Sequence, residues 1–519
     1  MEPAPPGTGA PVSPQPVSPQ QAWTWPAPPQ AGAARPHRPP KPYFVVRARA
    51  DRRLAIGALV GGIVFDVATR SGIATIAGTS WVCVAAAAVL LGGRVRGSAS
   101  RVLIGAAPVL ALSLTFRSSP WVLVPATLAV ALSLVLGVSL GADGGGLAAT
   151  FPALGTRIAV ALGHLGLAPA MFKFDGDPAA AGGAAGGAAG GAARKRAKAV
   201  ARGALLATPV MLVVGLLLAR ADPIFRSWFD LSAVLRNLLL AGIGGWVVAG
   251  LSRAASAKDP SPDRAAVPAL GAVEASLVLG GLCVLYAAFV AAQFVALSGG
   301  GHHVLVTQGL TYAQYARGGF FQLLACAAIT LPVLLSVRAC AGQAGPVLRG
   351  LSGLTVILTI GVVFVAIRRL QLYEAVFGLT MLRLACLVVA VWIGIVFGLL
   401  GLTLPRRGLP SHWFPAAVVL SGLLLVGVWG ASNPASIVAR VNVHRAEHGH
   451  RLDVAEVASL GPDAVPALVG GLRQLGGPEA AEVRRAICAR PPRRDSGAAF
   501  NMSAVSAVGA LVRICGPRG

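Results

Sequence analysis

The feature that most constrains this chain is a series of apolar runs close to the roughly 20 residues that a helix needs to cross a bilayer. They lie at residues 54–69, 73–92, 102–116, 121–142, 203–218, 231–251, 267–297, 320–337, 351–367, 380–402 and 415–429. A segment in lipid must satisfy its backbone hydrogen bonds internally, so these runs predict helices. We therefore expect an all-α fold, a polytopic transmembrane helical bundle of about eleven spans.

Composition supports a membrane location and argues against a nucleic-acid partner. Of the 519 residues, 55% are hydrophobic and 12% are charged, whereas about a quarter of the residues in a soluble protein are charged. The formal net charge of +25 comes from cations that are scattered between apolar runs instead of gathered on one basic face. The partner that this pattern predicts is the lipid bilayer.

Changes in composition divide the chain into five segments. We expect a disordered, proline-rich basic tail, a group of N-terminal transmembrane helices, a glycine- and alanine-rich basic cytoplasmic linker, the core transmembrane helices and a small helical soluble module. These segments lie at residues 1–53, 54–172, 173–202, 203–430 and 431–519. In the last segment, Cys488 and Cys515 are able to form a disulfide if the module faces an oxidising compartment.

The charges in the loops predict how the chain threads the membrane. Arginine and lysine cluster just before the first apolar run, and cations in that position tend to stay cytoplasmic. An odd number of spans then places the 431–519 module on the opposite side. The run at 151–171 is interrupted by Arg157 and His164. If this run also crossed, every later loop would change sides.

The loops predicted to face outward hold most of the distinctive polar residues of the membrane region. These loops are 221–230, 298–319 and 368–379. Polar groups at a membrane boundary are expensive and mark candidate functional sites, although interfacial tyrosines and snorkelling arginines are the structural alternative. The candidate outward polar cluster consists of Asp222, Tyr312, Tyr315, Arg317, Tyr373, Glu374 and Arg383.

Two patterns give this cluster an expected structure. Thr311 and Gln314 match a capping box, which predicts that a helix begins at the outer boundary. Tyr315 and Gly319 would then lie on one face of that helix.

Arg383 lies inside an apolar run, where it needs a partner of opposite charge. Glu374 is predicted to pair with Arg383 or Arg317 and to hold two outer helix ends together. If the carboxylate is instead accessible to water, it becomes a group for a substrate or a proton.

No residue is assigned to catalysis, to a cofactor or to a metal. Residues 444–448 read HRAEH and formally match the H-x-x-E-H pattern of some zinc proteases. A clear third ligand is missing, so the pattern alone does not predict a zinc site. The sequence also contains no phosphate-binding loop, dinucleotide fingerprint or CxxC pair. Enzymatic activity is therefore not expected.

Four stretches of the chain resemble a known family. They read ADPIFRSWF, GLTYAQYARGGFFQLL, RRLQLYEAVFGLTMLRL and NPASIVARVNVHRAEHGHRLDVAEVASLGPDAVPAL, and they fall within residues 205–472. In this order they resemble the bacterial integral membrane proteins of the domain-of-unknown-function family 4153/4173. The resemblance implies a multi-pass protein of the bacterial envelope, and it carries no activity or site residue onto this chain.

These observations lead to two functional hypotheses. The first is a non-enzymatic protein of the bacterial inner membrane, with a cytoplasmic N-terminus and an extracytoplasmic module. It would bind an envelope protein or a small ligand, or transmit a signal, through its outward loops. The alternative is a secondary transporter of a small solute, which would need Asp66, Glu274 or other polar groups along a cavity in mid-membrane.

Overall fold

The computed structural model describes residues 52–92, 95–141, 151–168, 231–257, 271–295, 319–340, 345–404, 413–489, 491–492 and 496–516. The regular secondary structure of these residues is helical, which confirms the all-α prediction. A short 3-10 helix lies at Gly497–Ala499. The α-helices are numbered α1 Arg52–Ser71, α2 Ile76–Leu91, α3 Ser98–Phe116, α4 Pro120–Gly141, α5 Phe151–Gly166, α6 Leu231–Ala255, α7 Ala272–Val295, α8 Phe320–Cys340, α9 Pro346–Phe377, α10 Met381–Leu402, α11 Trp413–Ser432, α12 Pro434–Glu447, α13 Val454–Ser459, α14 Val465–Gly471, α15 Gly477–Ala489 and α16 Met502–Cys515.

Nine of the described helices are long and apolar enough to cross a membrane, namely α1, α3, α4 and α6 to α11. Helix α2 is also apolar but has only 16 residues. The prediction of a polytopic membrane protein is therefore confirmed. The predicted run at 203–218 lies outside the described residues, and the five-segment division of the chain stays a prediction.

Helix α9 is longer than its apolar run predicts. It has 32 residues, or about 48 Å at 1.5 Å per residue, and so exceeds a hydrocarbon core of about 30 Å. The polar stretch after residue 367 continues the helix because no breaker occurs before Gly378, where φ is +79°. The last turns of α9, with Tyr373 and Glu374, therefore extend beyond the apolar run.

The start of α8 also differs from the sequence-based expectation. The helix begins at Phe320, and Gly319 has a φ of +91°, which a residue inside a right-handed helix does not adopt. The prediction that Gly319 lies on a helical face is therefore wrong. Thr311 and Gln314, the predicted capping box, lie outside the described residues.

Small residues set the closest approach between helices α1 and α6. A Cβ atom added at Gly61 would lie 2.6 Å from Val248 Cγ2, and one added at Gly245 would lie 2.8 Å from the Ala58 carbonyl oxygen. Such positions exclude any side chain and allow the two backbones to pack closely, as glycine does between membrane helices.

Helix α5 resolves the ambiguous run at 151–171. The Phe151 ring packs edge-to-face on Phe414 at the start of α11, with centroids 5.8 Å apart. Arg157 Nη1 donates to the Ser139 carbonyl near the end of α4, at 3.4 Å. At its other end, the Leu165 carbonyl accepts from Trp246 Nε1 of α6 at 2.7 Å. With 16 residues, α5 is shorter than the nine candidate spans, and its contacts lie at the start of α11, near the end of α4 and inside α6.

The C-terminal module, α12 to α16, has an apolar core of its own. The largest buried members include Val443, Leu468, Ile487 and Leu511. Leu379, from the connection between α9 and α10, belongs to the same core. The Cys488–Cys515 disulfide, with Cα atoms 5.9 Å apart, joins the ends of α15 and α16.

Candidate functional site

The structure locates three of the seven residues of the predicted polar cluster. Tyr373, Glu374 and Arg383 lie at the connection between α9 and α10. The other four members, Asp222, Tyr312, Tyr315 and Arg317, lie outside the described residues. Their place in a shared cluster stays a prediction.

Arg383 finds its partners on helix α9. Its guanidinium carbon lies 4.3 Å from the centroid of the Tyr373 ring. Nη1 donates to the carbonyl of Gly378 at 2.5 Å and to that of Phe377 at 3.3 Å. The C-terminal end of a helix carries a partial negative charge, so it stabilises a cation. Together with the aromatic face, these carbonyls compensate Arg383.

Glu374 does not form the predicted ion pair. Its carboxylate makes no salt bridge with Arg383, and its Oε1 atom is buried without a hydrogen-bond partner. The predicted direct pair with Arg383 is therefore wrong, whereas Arg317, the alternative partner, lies outside the described residues. The pair does not form because the Arg383 guanidinium donates to the carbonyls at the end of α9. The carboxylate oxygen is left with unused hydrogen-bonding capacity at the membrane boundary, which is a property of ligand and proton sites.

A larger polar site, which the sequence analysis did not predict, attaches the C-terminal module to the first membrane helices. Asp463 is 3% exposed. Its carboxylate accepts from the backbone N–H of Ser118 at 3.1 Å and from that of Ser119 at 2.7 Å. These groups precede α4, so Asp463 holds the α3–α4 connection although it lies 345 residues away in sequence.

Arg117 completes this contact from the membrane side. Its Nε and Nη2 donate to the carbonyls of Gly430 and Ala431, at 2.7 and 2.8 Å. Burial lowers the pKa of Arg117, and the nearby Asp463 carboxylate opposes that shift. The guanidinium thus links the end of α11 to the connection between α3 and α4.

Asn501 makes the third link in the same place. Its Nδ2 donates to the carbonyls of Ala74, Leu114 and Arg117 at 2.9, 3.2 and 2.9 Å. Its Oδ1 accepts from Ala504 N at 3.2 Å and caps α16. One amide therefore joins the module to two helix connections. We call Arg117, Asp463 and Asn501, with their partners, the Asp463 junction.

A second contact attaches the module to the α9–α10 connection. The Asn442 side chain accepts from Leu379 N at 3.1 Å and donates to Leu379 O at 2.7 Å. Arg445 donates to the carbonyls of Ala375 and Val376 at 2.8 and 3.3 Å. A Cβ at Gly378 would lie 2.8 Å from Asn442 Oδ1. We call these residues the Asn442 junction, and it adjoins Tyr373, Glu374 and Arg383.

The two junctions define one face of the membrane domain, which we call the module face. It carries the connections α1–α2, α3–α4 and α9–α10 and the end of α11. Helix α7 runs parallel to α9, since Cys283 contacts Thr355 at 3.2 Å and Gln293 contacts Arg369 at 3.0 Å. Because α9 ends on the module face, α7 ends on this face as well.

A family model described as "Domain of unknown function (DUF4153)" matches residues 104–470, more than two thirds of the chain. The chain belongs to the DUF4153 family. The matched segment of this DUF4153 protein begins within α3 and ends within α14, and it includes Asp463, Asn442 and the cluster at Glu374. Asn501 and the disulfide lie beyond it. A search of curated proteins and a search of solved structures each gave no match.

The carboxylates considered for transport lie at helix ends in this DUF4153 chain. Asp66 pairs with Arg70 one turn away, and Glu274 accepts from Gly271 N at 2.9 Å at the start of α7. A cavity between α4, α5 and α6, lined by Ser139 and His164 among others, has a volume of about 10 Å³. This volume holds about one water molecule.

One sequence pattern has a structural explanation, and one groove in the module has no assigned role. Residues 137–141 read GVSLG, a formal nucleophile-elbow pattern, but Ser139 lies within α4, where it donates to the Leu136 carbonyl at 2.9 Å. A groove of about 660 Å³ lies in the module between α15 and the disulfide and is lined by Arg484 and Arg485.

Proposed function

We propose that the protein is a non-enzymatic component of the bacterial cytoplasmic membrane that binds an envelope partner through its module face. In this proposal the N-terminus is cytoplasmic, and the C-terminal module is extracytoplasmic. The partner is an envelope protein or a small ligand that contacts the module and the α9–α10 connection together.

Two observations support this orientation. The Cys488–Cys515 disulfide is typical of an oxidising compartment outside the cytoplasm. Basic residues on the opposite face, such as Arg101, Arg253 and Arg349, follow the positive-inside rule. Arg117, Arg383 and Arg445 lie on the module face, but each donates to backbone carbonyls, so folding accounts for them.

The observation that carries the proposal is the attachment of the module at two separate places. The Asp463 junction fixes it to the α1–α4 region, and the Asn442 junction fixes it to the end of α9. A partner that binds the module therefore acts on the turn that contains Glu374, whose carboxylate oxygen Oε1 is buried without a hydrogen-bond partner and would gain one if this turn moved. This arrangement suits recognition or signalling better than catalysis.

Photocrosslinking in living cells tests the proposal. A photoreactive amino acid at Ala481, on the module, should give a discrete adduct, whereas the same residue at Gly345, on the opposite face, should not. The adduct from Ala481 should weaken in Asn442→Ala, because that variant loosens the module from the α9–α10 connection. Equal adducts at both positions, or an Asn442→Ala variant without effect, would contradict a site shared by the module and this connection.

An uptake assay distinguishes a binding protein from a transporter. Purified protein in sealed vesicles should accumulate no radiolabelled amino acid, sugar or inorganic ion above the level of empty vesicles. Uptake that Glu374→Gln abolishes would establish secondary transport and overturn the proposed function.

A further inference from the structure

Three side chains of types that can ligate a metal, which the proposed function does not use, lie at the C-terminal end of α12. One potential ligand atom from each of His444, Glu447 and His448 lies within 4.8 Å of those from the other two. Histidines four residues apart share one face of a helix. The two imidazole centroids are 4.3 Å apart and the ring planes meet at 67°, so the rings are already in edge-to-face contact.

Each imidazole is held through its Nδ1 atom. His448 Nδ1 lies 2.8 Å from the His444 carbonyl oxygen, and His444 Nδ1 lies 3.3 Å from Glu447 Oε2. A carbonyl and a carboxylate only accept hydrogen bonds, so both Nδ1 atoms act as donors. In the neutral ring the lone pair is then on Nε2. A histidine that ligates a metal is commonly oriented by a carbonyl or a carboxylate in this way.

The surroundings of this group favour a cation. The side chains of His444 and Glu447 are 70% and 44% exposed, so an ion reaches them without any movement of the fold. The C-terminal end of α12 has a partial negative charge. Arg445, the cation between the two histidines in sequence, is turned to the carbonyls of Ala375 and Val376.

We propose that His444 and His448 bind a divalent transition-metal ion through their Nε2 atoms, that Glu447 orients His444, and that water completes the coordination. Imidazole ligands select Cu²⁺, Ni²⁺ and Zn²⁺ over Mg²⁺ and Ca²⁺, with Cu²⁺ bound most tightly. Two protein ligands on an exposed helix make an exchangeable binding site and not a closed structural one.

Metal binding at this position should stabilise the neighbouring part of the fold. A bound ion would join residues one turn apart and so stabilise the end of α12. This turn follows Asn442 and contains Arg445, which attach the module to the α9–α10 connection. Metal binding should therefore strengthen the Asn442 junction and leave the Asp463 junction unchanged.

Calorimetric titration of the full-length protein, purified in detergent without a polyhistidine tag, tests the site. The probes are Ni²⁺ and Cu²⁺, with Mg²⁺ as the negative control. The His444→Ala/His448→Ala double variant should lose one equivalent of bound Ni²⁺ per chain. Glu447→Gln should weaken binding about 10–100-fold, the usual effect of removing an orienting partner. His450→Ala is the matched control, since His450 is equally exposed but lies outside the group.

Electron paramagnetic resonance of the Cu²⁺ complex gives a second readout. It should show coupling to two imidazole nitrogens in the wild type and should lose this coupling in the double variant. The proposal is overturned if the double variant keeps the wild-type stoichiometry and affinity. It is also overturned if His450→Ala removes the site as completely as the double variant does. All three histidine positions are exposed, so an unchanged melting temperature without metal will show that the variants fold.

Discussion

The two attachments of the C-terminal module differ in how completely their polar groups are satisfied. In the Asp463 junction, Asp463 and Asn501 are 3% and 4% exposed and bond to helix ends at two connections, α1–α2 and α3–α4. In the Asn442 junction the contacts are partly open to water, and the neighbouring Glu374 keeps an unbonded oxygen. Buried hydrogen bonds are expensive to break, whereas exposed ones exchange with water. The first junction therefore acts as a fixed anchor, and the second is suited to respond to a partner.

The largest expected effect comes from Asp463→Ala. The substitution leaves the N–H groups of Ser118 and Ser119 without an acceptor and should lower the stability of the junction by about 3 kcal/mol. Hydrogen exchange at the start of α4 measures this free energy of local opening. Asp463→Asn keeps an acceptor oxygen and should lose only about half as much. Equal losses in the two variants would show that the charge of Asp463, and not its hydrogen bonds to Ser118 and Ser119, stabilises the contact.

Asn501→Ala should rank next, with a loss of about 2–3 kcal/mol, because it removes an NH2 group whose two hydrogens serve three carbonyls and also removes a helix cap. The matched variant Asn501→Asp keeps the acceptor for Ala504 N but cannot donate to the three carbonyls. It should therefore open α16 from the membrane helices while the helix itself stays protected in hydrogen exchange. Wild-type protection throughout Asn501→Asp would contradict the role assigned to the donated bonds.

Gly378→Ala tests the second junction at its most constrained residue. With φ +79° and ψ 176°, Gly378 has a backbone conformation that costs other residues about 1–3 kcal/mol, and its new Cβ would press on Asn442 Oδ1. We expect faster hydrogen exchange at Leu379 and at the end of α12, without change at Asp463. Gly350→Ala, in the same helix where an added Cβ has open space, is the control and should be neutral or slightly stabilising.

Glu374→Gln should have the smallest effect on stability, within about 0.5 kcal/mol, because no ion pair is lost and one desolvated charge is removed. Its expected effect is on function, as a weaker crosslink between the module face and its partner. A loss of several kcal/mol measured by hydrogen exchange would mean that Glu374 is structural, and the contrast between the two junctions would disappear.

The sequence predicts the helices better than it predicts the contacts between them. Apolar runs identify the spans because burial in lipid acts on each segment by itself. The need of Arg383 for a partner was also predictable, but its actual partners are backbone carbonyls, which leave no pattern in a sequence. Asp463 and Asn501 were missed for the same reason. Each bonds to backbone groups more than 300 residues away, so neither has a local signal.

Cysteine labelling in intact cells tests most directly whether the module lies on the extracytoplasmic side of the membrane. In a protein that retains only the Cys488–Cys515 pair, single cysteines replace Ser496, on the module, and Gly345, on the opposite face. A maleimide that cannot cross membranes should label the first without cell lysis and the second only after lysis. Labelling of Gly345→Cys in intact cells together with protection of Ser496→Cys would place the module in the cytoplasm and contradict the account.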